Sequence, residues 1–290
     1  MKNMNKIFFG LLLAFSYSVS TVIAQNDTMY VMKSGAIVGK YNVNNQVDSV
    51  IFYKPTLGSS TTVTDYDGNV YNTVTIGTQV WMAENLKTTH YANGTAIPLV
   101  NTTSTWDALT ATSKAYCWYN DSIKYKDTHG ALYTWAAAMN GATSVTANPS
   151  GIQGVCPTGW HLPSDAEWTQ MENYLADNGH NYDGTTGGGS AKIAKSLAST
   201  SGWIVSSTTG AVGNTDYPTY RNKSGFTALP GGYRDYGGTF YGIGNDGYWW
   251  SATEFSATDA WYRGMSGSYS GVGRGSFSKE VGFSVRCVRD

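Results

Sequence analysis

The chain has 290 residues, of which 13% are charged and 14% aromatic, with 34 Gly, 21 Tyr, 10 Trp and a formal net charge of −1. So even a balance leaves no basic field to hold nucleic acid or an anionic membrane surface. The wealth of rings also sets the chain apart from disordered sequences, which are poor in aromatics.

The N-terminus reads as a secretory signal over residues 1–24. Lys2 and Lys6 form a basic start, Ile7 to Val19 is apolar, and Val22-Ile23-Ala24 ends on a small residue before Gln25. The apolar stretch is too short to span a bilayer comfortably, so cleavage after Ala24 is expected rather than retention as an anchor. No later segment is long and apolar enough to cross a membrane. The mature chain is therefore expected outside the cytoplasm: extracellular, periplasmic or on the outer surface.

Residues 25–54 read as a small β appendage. Met29-Tyr30-Val31-Met32 and Ala36-Ile37-Val38 flank a turn at Lys33-Ser34-Gly35, and Val47-Asp48-Ser49-Val50-Ile51-Phe52 is a third strand. Residues 55–64 form a polar linker. The main domain, 65–290, begins with a turn at Asp67-Gly68 between Val63 and the alternating run Val70 to Ile76, and Gly77-Thr78 then leads into Gln79-Val80-Trp81-Met82. A short Ala-rich helix is expected over Leu132 to Met139. A second helix is marked sharply: Ser164 caps it, Glu167 completes a capping box, Trp168, Met171, Tyr174 and Leu175 recur at helical spacing, and Asp177-Asn178-Gly179 stops it. A third is expected over Ala191 to Ala198. Beyond Trp203 the pattern is strands and long Gly-rich loops.

Residues that carry chemistry are sparse. Gly184 to Lys192 lacks the Gly-Lys-Ser/Thr order of a phosphate loop. His90, His129, His161 and His180 show no ligand spacing, and His161, between Trp160 and Leu162, reads as a hydrogen-bonded core residue; no catalytic residue and no metal ligand is assigned. Asp65, Asp67 and Asn69, and later Asn245-Asp246-Gly247, could give calcium oxygen ligands, or could simply form turns. Of three cysteines, Cys156 and Cys287 sit in apolar, strand-like runs and are paired, which closes a loop worth about 4–5 kcal/mol in the chain-entropy model; three reduced core thiols are the alternative. Trp250 and Trp261 are expected in the core. Arg234-Asp235 and Arg263 lie among aromatics and are expected to stack or pair, or else to rim and solvate the loops. Tyr233, Tyr236, Tyr241 and Tyr248 lie beside Gly or Asp, where loops expose rings that stack on sugars, unless they pad one another. The candidate ligand-binding set is Tyr233, Arg234, Asp235, Tyr236, Tyr241, Asn245, Asp246 and Tyr248.

Several runs carry a family resemblance. Val80-Trp81-Met82-Ala83-Glu84-Asn85-Leu86, Gly130-Ala131-Leu132-Tyr133-Thr134-Trp135 and Val155-Cys156-Pro157-Thr158-Gly159-Trp160-His161-Leu162-Pro163-Ser164 resemble the signature of the Fibrobacter succinogenes major paralogous domain. So do Gly225 to Gly232, Tyr248 to Thr253 and Gly282 to Val288. The element ending Asp48-Ser49-Val50-Ile51-Phe52 looks like a leader of secreted modules in Bacteroidota, and Asp27-Thr28-Met29, Asp48-Ser49-Val50 and Asp121-Ser122-Ile123 resemble O-glycosylation acceptors of that group. The family is similar in turn to the C-type lectin-like fold of sulfatase-modifying proteins. The resemblance implies an α+β domain with two main helices, small twisted antiparallel sheets, and chain ends brought together, a closure that a 156–287 disulfide suits. Members often carry a partner for the equivalent of Cys117; none stands between Lys124 and His129, so Cys117 is expected unpaired. The oxidases of the wider fold hold copper with two late cysteines, and Cys287 stands alone there. The expectation is a secreted or surface-held, non-enzymatic binding module for a glycan or a cell-surface protein, needing no cofactor beyond structural calcium. A structural subunit of a surface appendage, or a degenerate sulfatase-modifying-like enzyme, is the alternative.

Overall fold

The computed structural model describes Val22–Gln25, Thr28–Lys33, Ala36–Asn42 and residues 62–290. The chain divides into two units, residues 1–59 and 60–290. In the first, β1 (Val22–Gln25), β2 (Thr28–Lys33) and β3 (Ala36–Asn42) form an antiparallel sheet in that order. The expected hairpin is present, with Lys33 paired to Ala36, and β1 runs across the expected cleavage point. The strand expected at Val47 to Phe52 lies outside the described residues.

The second unit begins with β4 (Thr62–Thr64), β5 (Val70–Ile76) and β6 (Gln79–Met82). Asp65 makes the first turn: its carboxylate accepts from the Asn69 amide, and Gly68 takes φ +80°, open to a residue without Cβ. Next come α1 (Thr103–Asp107), β7 (Tyr116–Cys117), α2 (Lys126–His129), β8 (Leu132–Tyr133) and α3 (Trp135–Met139). The Ala-rich helix is thus shorter than expected. Leu132 and Tyr133 are extended because they pair with Cys117 and Tyr116, and the helix starts only where the Thr134 side chain accepts from the Ala137 amide. α4 (Asp165–Asp177) follows the sequence signals closely, with both halves of the Ser164–Glu167 capping box made. The third expected helix contracts to α5 (Ala194–Leu197).

The Gly-rich third of the chain supplies β9 (Gly231–Arg234), β10 (Phe240–Ile243), β11 (Asp246–Glu254), β12 (Asp259–Ser266) and β13 (Gly273–Ser278), one sheet in the order β10-β9-β11-β12-β13. β14 (Val288–Arg289) returns to pair with β6, so the end of the domain lies beside its start. The architecture is α+β, mostly small curled sheets. Among the described residues only α4 is long, at 13 residues; the other helix expected to be a main one has five.

The signature residues form the interior. Trp81 meets Trp168 at 4.7 Å and Phe226 at 5.9 Å, and Trp250 meets Phe283 at 4.5 Å. Asn85, buried, ties four segments together: its Oδ1 accepts from Trp249 Nε1 and Arg286 Nε, and its Nδ2 donates to the His129 carbonyl and Ser284 Oγ. Cys156 and Cys287 are bonded across 131 positions of sequence, and Cys117 is free and buried.

Arg234 and Arg263 do not rim the loops. Both side chains are wholly buried, as is Arg286. Arg263 reaches Glu172 and Asp165 on α4, each at 2.6 Å. Arg234 pairs with Asp121 at 2.9 Å between the rings of Trp106 and Phe240. Among the described residues Arg286 meets only neutral acceptors, from Asn85, Met82, Phe226 and Thr227, under the Phe226 ring, and burial pulls its guanidinium down to about 9. Arg234 donates to the carbonyls of Gly238 and Val100, and Arg286 to those of Met82, Phe226 and Thr227, so these buried forks satisfy backbone acceptors as well as side chains.

Candidate ligand-binding site

Strand alternation sorts the large sheet into two faces. Trp249, Arg263 and Met265 turn to one side, where Arg263 and Met265 meet α4 and its core. Tyr248 and Tyr262 turn to the other, with Gly264 opposite Tyr248 and Gly275 opposite Tyr262. A Cβ at Gly264 would stand 3.0 Å from the Tyr248 ring, and one at Gly275 would stand 2.8 Å from the Tyr262 hydroxyl. Small residues therefore make a floor and tyrosines make the walls.

The result is a groove of about 510 Å³ over β11, β12 and the loop into β13. Tyr248 and Tyr262 are half-buried in it, their rings 5.5 Å apart, while Tyr269 stands 68% exposed at its lip. Asp246, Ser266 and Ser270 add oxygens, and none of the lining residues is cationic. Burial, with the nearby Asp246 charge, pushes the Tyr248 phenol well above its ordinary range, and burial raises Tyr262 likewise. Both hydroxyls stay protonated donors at physiological pH. Such a lining suits a flat, uncharged, hydroxyl-rich ligand and disfavours an anion.

The expected site residues divide around this groove. Asp246 and Tyr248 line it, and Asn245 donates to Asp246 at 3.0 Å. Tyr233 lies 5.2 Å from Tyr248, and Tyr241 lies 5.6 Å from Tyr233, so a file of rings crosses β10, β9, β11 and β12 toward the groove. These rings pad one another, while Tyr241 stays exposed. Tyr236 is exposed and Asp235 half-buried on the turn after β9, outside the groove lining, and Arg234 is inside the protein. Trp261, expected in the core, is half-buried on the α4 side of the sheet beneath the Arg274 guanidinium, 3.4 Å away. Tyr262, Tyr269 and the glycine floor were not anticipated; the period-two spacing Tyr262-x-Gly264-x-Ser266 was the available signal.

Two of the carboxylates considered for calcium, Asp65 and Asp67, are already engaged within the chain. Asp65 accepts from Asn69 and Tyr71, and Asp67 from Thr88 and Thr89 with His90 Nδ1 at 2.6 Å. A cation there would have to displace these bonds. His161 is hydrogen-bonded as expected, its Nε2 lying 2.5 Å from Glu167 Oε1. Burial pushes the Cys117 thiol up to about 12, against the pull of the adjoining Arg234. Among the described residues no helix is long and apolar enough to cross a membrane.

No curated protein and no solved structure matches the chain. The model of the Fibrobacter succinogenes major domain matches residues 74–289, spanning every signature run described above, and the chain belongs to that family.

Proposed function

We propose that the chain is an exported, non-enzymatic binding module that takes a neutral glycan, free or displayed on a cell-surface protein, in the tyrosine-walled groove of its large sheet. The observation that carries this reading is the groove itself: half-buried Tyr248 and Tyr262, exposed Tyr269, a glycine floor and a single carboxylate. Stacking on a ring face is worth most where the partner presents aliphatic C–H and keeps its hydroxyls free for Asp and Ser, as a pyranose does. The lectin-like arrangement belongs to this proposal. It is supported by the entry of α4 from Leu162-Pro163-Ser164 and by the joining of start and end through β6–β14. Export rests on the N-terminal reading and agrees with the disulfide.

The test is an array of neutral and acidic oligosaccharides, beside a pull-down from cell surfaces, with wild type, Tyr269→Ala and Asp246→Asn. Binding confined to neutral sugars, and lost in Tyr269→Ala, supports the reading. Silence in both screens, or binding unchanged in both variants, overturns it.

A further inference from the structure

We propose that His161, Glu167 and Asp290 form a site for one divalent transition-metal ion of the zinc class, at the seam where β14 meets the N-terminus of α4. The three donor atoms lie within 4.8 Å of one another. Two of them are positioned by bonds that have nothing to do with each other. His161 is held through its backbone, which exchanges both hydrogen bonds with Val288 at 2.9 Å. Glu167 spends Oε2 on the amides of Ser164 and Ser150, which leaves Oε1 turned toward the imidazole and wholly shielded from solvent. Asp290 Oδ2 stands 4.0 Å from His161 Nε2 on the open side, its side chain 48% exposed.

Imidazole nitrogen and carboxylate oxygen are both donors that zinc accepts, and three of them leave a fourth tetrahedral position for water. Charge favours an ion as well. Two carboxylates face a single imidazole, and the neighbouring Arg289 is turned away over the Trp160 ring at 5.1 Å. Zinc bonds of about 2.0–2.2 Å in tetrahedral order set donors about 3.3 Å apart. The 2.5 Å contact between His161 and Glu167 would open by less than about 1 Å, a turn of the imidazole, and Asp290 would swing in. Glu167 and His161 are the fixed wall, and Asp290 is the entrance. An ion there would brace the disulfide-bearing end of the chain against α4.

The experiment uses the tag-free chain, stripped with chelator and titrated with zinc by calorimetry, and with cobalt(II) followed by its visible absorption. One equivalent of zinc, a tetrahedral cobalt spectrum and a raised thermal midpoint are expected. Outer-sphere partners alone are worth about 10–100-fold in metal affinity, so loss of the donor in Asp290→Asn is expected to weaken binding by at least about tenfold. Asp290 is half-exposed at the margin of the fold, so this variant keeps its structure even if His161→Gln does not. Asp67→Asn, beside His90, serves as the control and should bind as wild type does. Absence of zinc binding, or affinity unchanged in Asp290→Asn, overturns the proposal.

Discussion

Arg263→Met exposes how much the domain depends on charge placed inside it. The guanidinium donates to Glu172 Oε1 and Asp165 Oδ1, each at 2.6 Å, and to Thr169 Oγ1 at 3.0 Å. Asp165 keeps a second partner, because Arg274 lies 2.9 Å away. Glu172, with its side chain 8% exposed, loses the one ion-pair partner it has among the described residues and is left as a buried carboxylate without a direct countercharge there. Breaking a buried pair from one side costs about 3–5 kcal/mol, which for a domain of this size lowers the thermal midpoint by about 6–20 °C. The pH dependence has a definite sign. Burial already raises the Glu172 carboxyl, and Arg263 opposes that rise. Without Arg263 the folded variant holds a proton to higher pH than its unfolded chain does. Its deficit is therefore full at neutral pH and shrinks as pH falls toward the raised carboxyl range. Urea unfolding near pH 7 and about pH 5 measures both effects, and Arg263→Met combined with Glu172→Gln should recover much of the loss. A cost below about 1 kcal/mol, or a double variant no better than the single one, would refute the reasoning.

Three further outcomes are expected. Reducing the Cys156–Cys287 bond should cost about 4–5 kcal/mol; thermal scans with and without reductant check this, and coincident scans contradict it. Cys117 should resist alkylation in the native protein and react fully in denaturant, because its thiol is buried and raised to about 12; native labelling read by mass would show the site to be open. Asn85→Ala should destabilise by about 2–4 kcal/mol, since buried donors on Trp249 and Arg286 lose their acceptor. A chemical melt unchanged from wild type would remove Asn85 as the hub.

What the sequence made legible was local. Gly68 and the Ser164–Glu167 box act over four residues or fewer, and each appears where its chemistry placed it. The Ala-rich run at Leu132 failed because pairing with β7 outweighs helix propensity for two residues, a competition that only tertiary structure decides. The arginines stack or pair, as one reading of the sequence had it, but their burial was hidden for a related reason. Arg234 finds Asp121 across 113 positions and the Val100 carbonyl across 134, and nothing near it in sequence announces either. Half of the groove was visible because Tyr248 stands beside Gly247. The other half was hidden because Trp261 alone was weighed in this strand, as a core ring, although alternate residues face the opposite side of the sheet.

The account rests on the groove between Tyr248, Tyr262 and Tyr269 being where a partner docks. Amide chemical shifts recorded during titration with the neutral oligosaccharide that binds best test this directly. The account predicts changes centred on Gly264, Gly271 and Gly273 and on the strand at Tyr248. Changes centred on the exposed turn at Asp235 to Gly238, with the groove amides unmoved, would contradict it.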